Sequence, residues 1–123
     1  MLDLDFFDSS SKYGVIKATV HKTGKLGFSS GASKFMKLEE ISYVNIGLNK
    51  ADSNDKCLYI LEVSQETDKS FKIVKAGDYF YVHIKNILRE LNIDYKNESV
   101  IYDIEEINHS GNKIYKLCRR KRK

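Results

Sequence analysis

The sequence pattern of this chain indicates the same series of short elements twice, and this repeat restricts the possible folds more than any other feature. A Lys-x-Gly turn at residues 22–24 recurs at residues 75–77, and alternating apolar residues follow each turn. The apolar positions that align are Leu26 with Tyr79, Phe28 with Tyr81, Phe35 with Leu88, Leu38 with Leu91, Val44 with Val100, Ile46 with Tyr102, Leu48 with Ile104, Leu58 with Ile114 and Tyr59 with Tyr115. We therefore expect two copies of one structural unit.

Each half has the pattern of strand, turn, strand, short helix, strand and strand, over about residues 15–63 and 71–117. Ser29 or Ser30 is expected to cap the first helix, and apolar residues at helical spacing from Ile84 to Leu91 predict the second. A unit of this size buries too little apolar surface to fold well alone, so the two units should share one core. The predicted fold class is α+β and β-rich, with halves related by a pseudo-two-fold axis in a barrel or sandwich.

The repeats define the expected domain organisation. Residues 1–12 read as a flexible leader, residues 13–118 as a single domain made of the two repeats, and residues 119–123 as a basic tail. No apolar run reaches the length of a membrane span, and the N-terminus is acidic where a secretory signal would be basic. We therefore predict a cytoplasmic protein with no membrane partner.

Residues 15–38 carry a lysine-bearing strand, a polar turn with glycine, an apolar strand and a short helix that ends in leucine. This stretch resembles the swapped-hairpin domain of AbrB-type transition-state regulators and MazE-type antitoxins, and residues 71–117 resemble it again. A tandem arrangement is similar to that of MraZ-type proteins, which carry two such units. The resemblance implies the duplicated fold and a role as a DNA-binding regulator.

The formal net charge of +4 hides an uneven distribution of charge along the chain. All five residues of the tail are basic, and the rest of the chain holds 16 Lys and Arg against 17 Asp and Glu. Between Ser9 and Leu38 there are six lysines and no acid. Such segregated charge favours contact with phosphates. A tail that only aids solubility is the alternative interpretation.

Three basic groups are the candidate nucleic-acid contacts. They are the first-half cluster Lys17, Lys22, Lys25 and Lys34, the second-half cluster Lys72, Lys75, Lys85 and Arg89, and the tail Arg119, Arg120, Lys121, Arg122 and Lys123. A pseudo-two-fold axis would bring the first two clusters to one face, where they could bind duplex phosphates. An ordinary solvated surface is the alternative for all of them.

Phe80 is a candidate for stacking on a base or for contact with a protein partner. It aligns with Gly27, between core positions, and is therefore expected to point away from the core. The alternative is that Phe80 packs beneath Phe6 and Phe7 of the leader.

Catalytic and metal-binding patterns are absent from the sequence. The three histidines share no ligand or triad spacing, and Glu105 and Glu106 point to opposite faces of a strand. Cys57 reads as a small core residue and Cys118 as an unpaired thiol, with no Cys-x-x-Cys motif. We predict no enzyme activity, no cofactor and no metal.

The sequence thus favours a small nucleic-acid-binding protein, with duplex DNA as the expected partner and regulation of transcription as the expected role. A protein-interaction or assembly module without nucleic-acid contact is the alternative. The sequence leaves both self-association and a protein partner open.

Overall fold

A computed structural model describes residues 2–4 and 14–120. The strands are β1 (Lys17–Val20), β2 (Lys25–Phe28), β3 (Tyr43–Gly47), β4 (Leu58–Val63), β5 (Phe71–Lys72), β6 (Val74–Ala76), β7 (Tyr79–His83), β8 (Val100–His109) and β9 (Asn112–Arg119). The helices are α1 (Ser30–Phe35), α2 (Lys85–Glu90) and a 3-10 helix at Leu38–Glu40. The prediction of a β-rich α+β chain is confirmed.

The nine strands of the described residues form one antiparallel sheet in the order β5-β3-β4-β9-β8-β1-β2-β7-β6. The outermost strands of this order, β5 and β6, are consecutive in the chain. Strand β5 pairs with β3 at one edge of the sheet, and β6 pairs with β7 at the other. Residues 71–76 therefore nearly close the sheet into a barrel. Closure of this kind leaves few unpaired backbone groups at sheet edges.

Period-two alternation sends one set of side chains into the barrel. Leu26 pairs with Val82 and Phe28 pairs with Phe80 across β2 and β7, and all four side chains are buried. The inner side chains of the other strands and the apolar faces of the helices complete a single core cluster. The two halves of the chain thus share one core.

Both helices bury apolar side chains in this core. Ser29 caps α1, because its hydroxyl accepts a hydrogen bond from the Ala32 amide at 3.1 Å and donates one to the Val15 carbonyl at 2.7 Å. This confirms the predicted cap and ties the start of α1 to the segment before β1. Helix α2 lies within the span that the apolar spacing predicted and buries Leu88.

The predicted alignment of the halves is wrong by one residue in two strands. In β7 the buried side chains are Phe80 and Val82, whereas Tyr79 and Tyr81 are only half-buried. The predicted second Lys-x-Gly turn is wrong in part, because Lys75 and Ala76 belong to β6 and the turn itself is Gly77 and Asp78. The first turn ends at its glycine, so matching the two glycines shifts the strand that follows by one residue. In β9 the buried residues begin at Tyr115 rather than at Ile114, which had aligned with buried Leu58. This second shift arises because a long loop connects β3 to β4, whereas a tight turn connects β8 to β9.

A disulfide bond joins Cys57 to Cys118, which corrects the prediction of a core cysteine and an unpaired thiol. Cys57 immediately precedes β4 and Cys118 lies in β9, and the register of these paired strands places the two residues side by side. Their Cα atoms are 4.4 Å apart, and 61 positions separate them in sequence. The bond therefore closes a long loop that runs from the first half into the second.

Replacing both cysteines (Cys57→Ser with Cys118→Ser) is expected to lower the free energy of unfolding by about 2–4 kcal/mol, because the unfolded chain gains the freedom that the cross-link removes. Urea denaturation of the oxidised protein measures this loss. A reductant should destabilise the wild-type protein by a similar amount and leave the double variant unchanged. Equal stability of the wild-type protein with and without reductant would contradict the assignment.

Candidate nucleic-acid interface

The outer surface of strands β2 and β7 carries an unusual set of rings. Alternation in β7 points Tyr79, Tyr81 and His83 outward, because Phe80 and Val82 point inward. Lys25 lies opposite His83 in the neighbouring strand, and His21 lies in the turn that leads to β2. We call the side chains of His21, Lys25, Tyr79, Tyr81 and His83 the aromatic face.

The rings of the aromatic face contact one another along β7. The ring centroids of Tyr79 and Tyr81 are 5.9 Å apart with their planes inclined by 30°, and those of Tyr81 and His83 are 5.3 Å apart and nearly perpendicular. The Lys25 ammonium lies 4.6 Å from the centroid of Tyr81. Tyr81 therefore holds a cation against its ring on the outside of the barrel.

Gly27 determines where the Tyr79 ring lies. A Cβ atom at position 27 would be 2.5 Å from Cζ of Tyr79 and 2.8 Å from Nε2 of His21, so no larger residue fits beneath the ring. The Tyr79 side chain thus crosses from β7 over the backbone of β2, and its hydroxyl shares a hydrogen bond with Nε2 of His21. The hydroxyl end of the Tyr79 side chain therefore lies over Gly27 and is held there by His21.

Burial against the sheet raises the pKa of the Tyr79 phenol above its ordinary value of 10.0, and the negative charge that Tyr81 would carry after deprotonation raises it further. Because burial disfavours the phenolate, the folded chain retains this proton to higher pH than the unfolded chain. Tyr79 is therefore a neutral hydrogen-bonding ring at physiological pH.

Three of the predicted basic residues lie at one end of the aromatic face. Lys25 belongs to it, and Lys22 lies in the turn between β1 and β2. Lys85 comes from the second half of the chain, but its side chain packs close to Gly24 of that turn, where an added Cβ atom would lie 2.8 Å from the Lys85 Cβ. The structure thus brings basic residues of both halves together at the Lys25 end of the aromatic face.

The other basic residues of the two clusters are placed elsewhere. Lys75 pairs with Phe80 in the register of β6 and β7, so it lies on the opposite side of the sheet from Lys25, and its ammonium forms a 2.5 Å ion pair with Glu39. The remaining four occupy separate positions: Lys17 opposite Asp103, Lys72 opposite Tyr43, Lys34 at the end of α1 and Arg89 at the end of α2. The structure does not gather the two clusters on one face.

The basic run at the C-terminus begins inside the sheet. Arg119 is the last residue of β9 and forms an ion pair with Glu98 at 3.1 Å. Arg120 forms an ion pair with Asp103 at 2.7 Å, and this carboxylate raises the pKa of the guanidinium. Residues 121–123, with the predicted contacts Lys121, Arg122 and Lys123, lie outside the described residues.

The expectation that Phe80 points outward was wrong. Its side chain is only 6% exposed, and the Lys75 ammonium lies 5.7 Å from its ring centroid. The cause is the one-residue shift in β7, which exchanges Phe80 with its two tyrosine neighbours. The alternative, packing beneath Phe6 and Phe7, involves residues outside the described part of the chain.

Apart from the aromatic face, a concave region lies between the β3–β4 connection and the segment after α2. This cleft has a volume of about 710 Å³ and is lined by Leu91, Ile93, Asp55, Glu98 and Arg119, among others. Its central charged groups are engaged with their neighbours. Hydrogen bonds from the side chain of Tyr59, the amide of Cys57 and the side chain of Asn49 lower the pKa of Asp55, and Glu98 is paired with Arg119. Those charges hold the loop and the end of β9 in place.

Among the described residues, no cluster of three or more His, Cys, Asp or Glu side chains is arranged to hold a metal ion. Within the same ranges, no helix is long and apolar enough to cross a membrane. No family model, curated protein or solved structure matches this chain. The candidate site therefore rests on the geometry of the aromatic face.

The variant Gly27→Ala is expected to push the Tyr79 ring off the sheet and into solvent. The pKa of Tyr79 should then fall back towards 10.0, because the ring loses the burial that raises it. NMR titration of protein labelled at tyrosine Cζ, with the signal assigned by Tyr79→Phe, measures this change. Gly47→Ala is the matched control, because a Cβ atom there meets nothing within 4 Å. An unchanged Tyr79 pKa in Gly27→Ala would show that the ring does not lie over Gly27.

Proposed function

We propose that this chain is a small nucleic-acid-binding protein whose interface is the aromatic face together with Lys22 and Lys85. The observation that carries the proposal is the Lys25 ammonium held 4.6 Å from the Tyr81 ring centroid, beside further outward rings. Lysines attract phosphates, and aromatic rings offer flat surfaces to bases. This combination on one sheet surface is typical of proteins that bind nucleic acid.

The cytoplasmic location and the role as a DNA-binding regulator remain predictions, and the regulatory role rests on the resemblance to AbrB-type proteins. The absence of enzyme activity likewise remains a prediction. The Cys57–Cys118 bond bears on the location, because disulfides are uncommon in reducing compartments. Counting free thiols in protein taken directly from cells would test the cytoplasmic prediction.

We further propose that the barrel is built from two related halves. The strand pairs support this, because hairpin β1–β2 corresponds to β6–β7 and hairpin β3–β4 corresponds to β8–β9. Pairs β2–β7 and β4–β9 would then join equivalent strands across the pseudo-two-fold axis. The helix ends add support, because Lys37 follows α1 and Asn92 follows α2 at the same distance, both with positive φ.

A protein-interaction module is the second candidate function, and one observation favours it. Strand β8 pairs with β1 only over Val100–Asp103, so no described strand covers the β1 side of residues 104–109. An exposed strand edge can accept an added strand from a partner. This mode of binding would depend on backbone hydrogen bonds and not on the lysines of the aromatic face.

The two candidates predict different responses to salt. Nucleic-acid binding measured by fluorescence polarisation should weaken steeply as salt rises, and Lys22→Gln with Lys85→Gln should reduce the slope of log affinity against log salt by about 0.7–0.9 for each lost phosphate contact. Lys50→Gln, an exposed change in the β3–β4 connection, is the matched control and should leave the slope unchanged. Absence of binding to both single-stranded and duplex nucleic acid at low salt would overturn this proposal and favour the interaction module.

A further inference from the structure

We infer that the ligand of the aromatic face is single-stranded nucleic acid, with a base stacked on the outer side of the Tyr79 ring. This inference rests on the proposed function and makes it more specific. It replaces duplex DNA, the partner expected from the sequence, with a strand whose bases are unpaired. Tyr79, Lys25 and Tyr81 have separate roles in it.

Tyr79 provides the stacking surface. The hydroxyl end of its ring lies over Gly27, where a Cβ atom would come within 2.5 Å of Cζ, so the side chain reaches across the outer surface of β2. The residue is only half-buried, so part of its side chain remains open to solvent. The hydrogen bond to His21 and the absence of a side chain at position 27 hold the ring in this orientation before any ligand arrives. A ring that is already ordered loses little entropy when a base stacks on it.

Lys25 provides the phosphate contact. Its ammonium lies against the ring of Tyr81, which is two positions along β7 from Tyr79. Among the described residues, Lys25 forms no ion pair with an acidic side chain. Tyr81 therefore acts as a positioning residue that holds the cation beside the stacking surface. A nucleotide with its base on Tyr79 would direct its phosphate towards this end of the face, where Lys22 and Lys85 also lie.

The geometry does not suit a duplex. Within a duplex the bases are stacked at about 3.4 Å, and their flat sides are covered by their neighbours. Rings fixed on a strand, such as Tyr79 and Tyr81 with centroids 5.9 Å apart, cannot reach these sides unless the bases are separated. A single strand presents its bases freely, and stacking on aromatic rings is its usual mode of binding.

The experiment compares the full chain with both forms of nucleic acid at low salt. Fluorescence polarisation with a thymidine oligomer of about 12 nucleotides and with a duplex of the same length gives the two affinities. We expect tighter binding of the single strand. Tyr79→Leu should weaken single-strand binding about tenfold, which is the typical effect of losing one stacked base, and should change duplex binding less than about twofold.

Two further variants separate stacking from general damage to the fold. Tyr79→Phe keeps the ring and should retain most of the single-strand affinity, although it lacks the hydroxyl that contacts His21. Tyr43→Leu changes a half-buried tyrosine of β3 away from the aromatic face and should leave both affinities unchanged. If Tyr79→Leu fails to fold, Gly27→Ala displaces the same ring and should produce the same selective loss.

The possible failures are distinguishable. Equal affinity for the two forms, or wild-type single-strand binding by both Tyr79→Leu and Gly27→Ala, would overturn the single-strand inference while the nucleic-acid interface stands. Failure of the wild-type protein to bind either form would overturn the proposed function itself.

Discussion

Alternation of side chains across the β2–β7 strand pair is the constraint on which the rest of the structure depends. Leu26 with Val82 and Phe28 with Phe80 fill the barrel from these two strands, and no other phase buries as much apolar surface. The same phase forces the intervening residues outward. The row of rings outside the barrel is therefore the direct consequence of the core inside it, and a shift by one residue would exchange the two.

Barrel closure brings together residues that lie far apart in the chain. Strand β2 comes from the first half and β7 from the second, so the lysine of one strand meets the tyrosine of the other. Strands β4 and β9 are joined in the same way, and there the result is a covalent bond between Cys57 and Cys118. The antiparallel pairs between halves thus create both the candidate interface and the main cross-link of the fold.

The sequence was sufficient for features that depend on local spacing. The strands, the Ser29 cap and the second helix follow from residues within one turn or one strand of each other. It was insufficient where the outcome depends on which strands are neighbours. The extra turn residue Asp78 changes the phase of β7, and the strand order decides that Cys57 meets Cys118. The alternating pattern of residues 79–83, followed as far as His83, could have identified the outward rings, because it places a histidine and two tyrosines on one side of the strand.

The most direct test of the interface is an NMR titration of the ¹⁵N-labelled protein with a thymidine oligomer at low salt. We expect the amide signals of Lys25–Phe28 and Tyr79–His83 to shift together and saturate at one equivalent of ligand, while those of Tyr43–Gly47 remain in place. Shifts confined to β3, β4 or the cleft beside α2, with the signals of β2 and β7 unchanged, would contradict it.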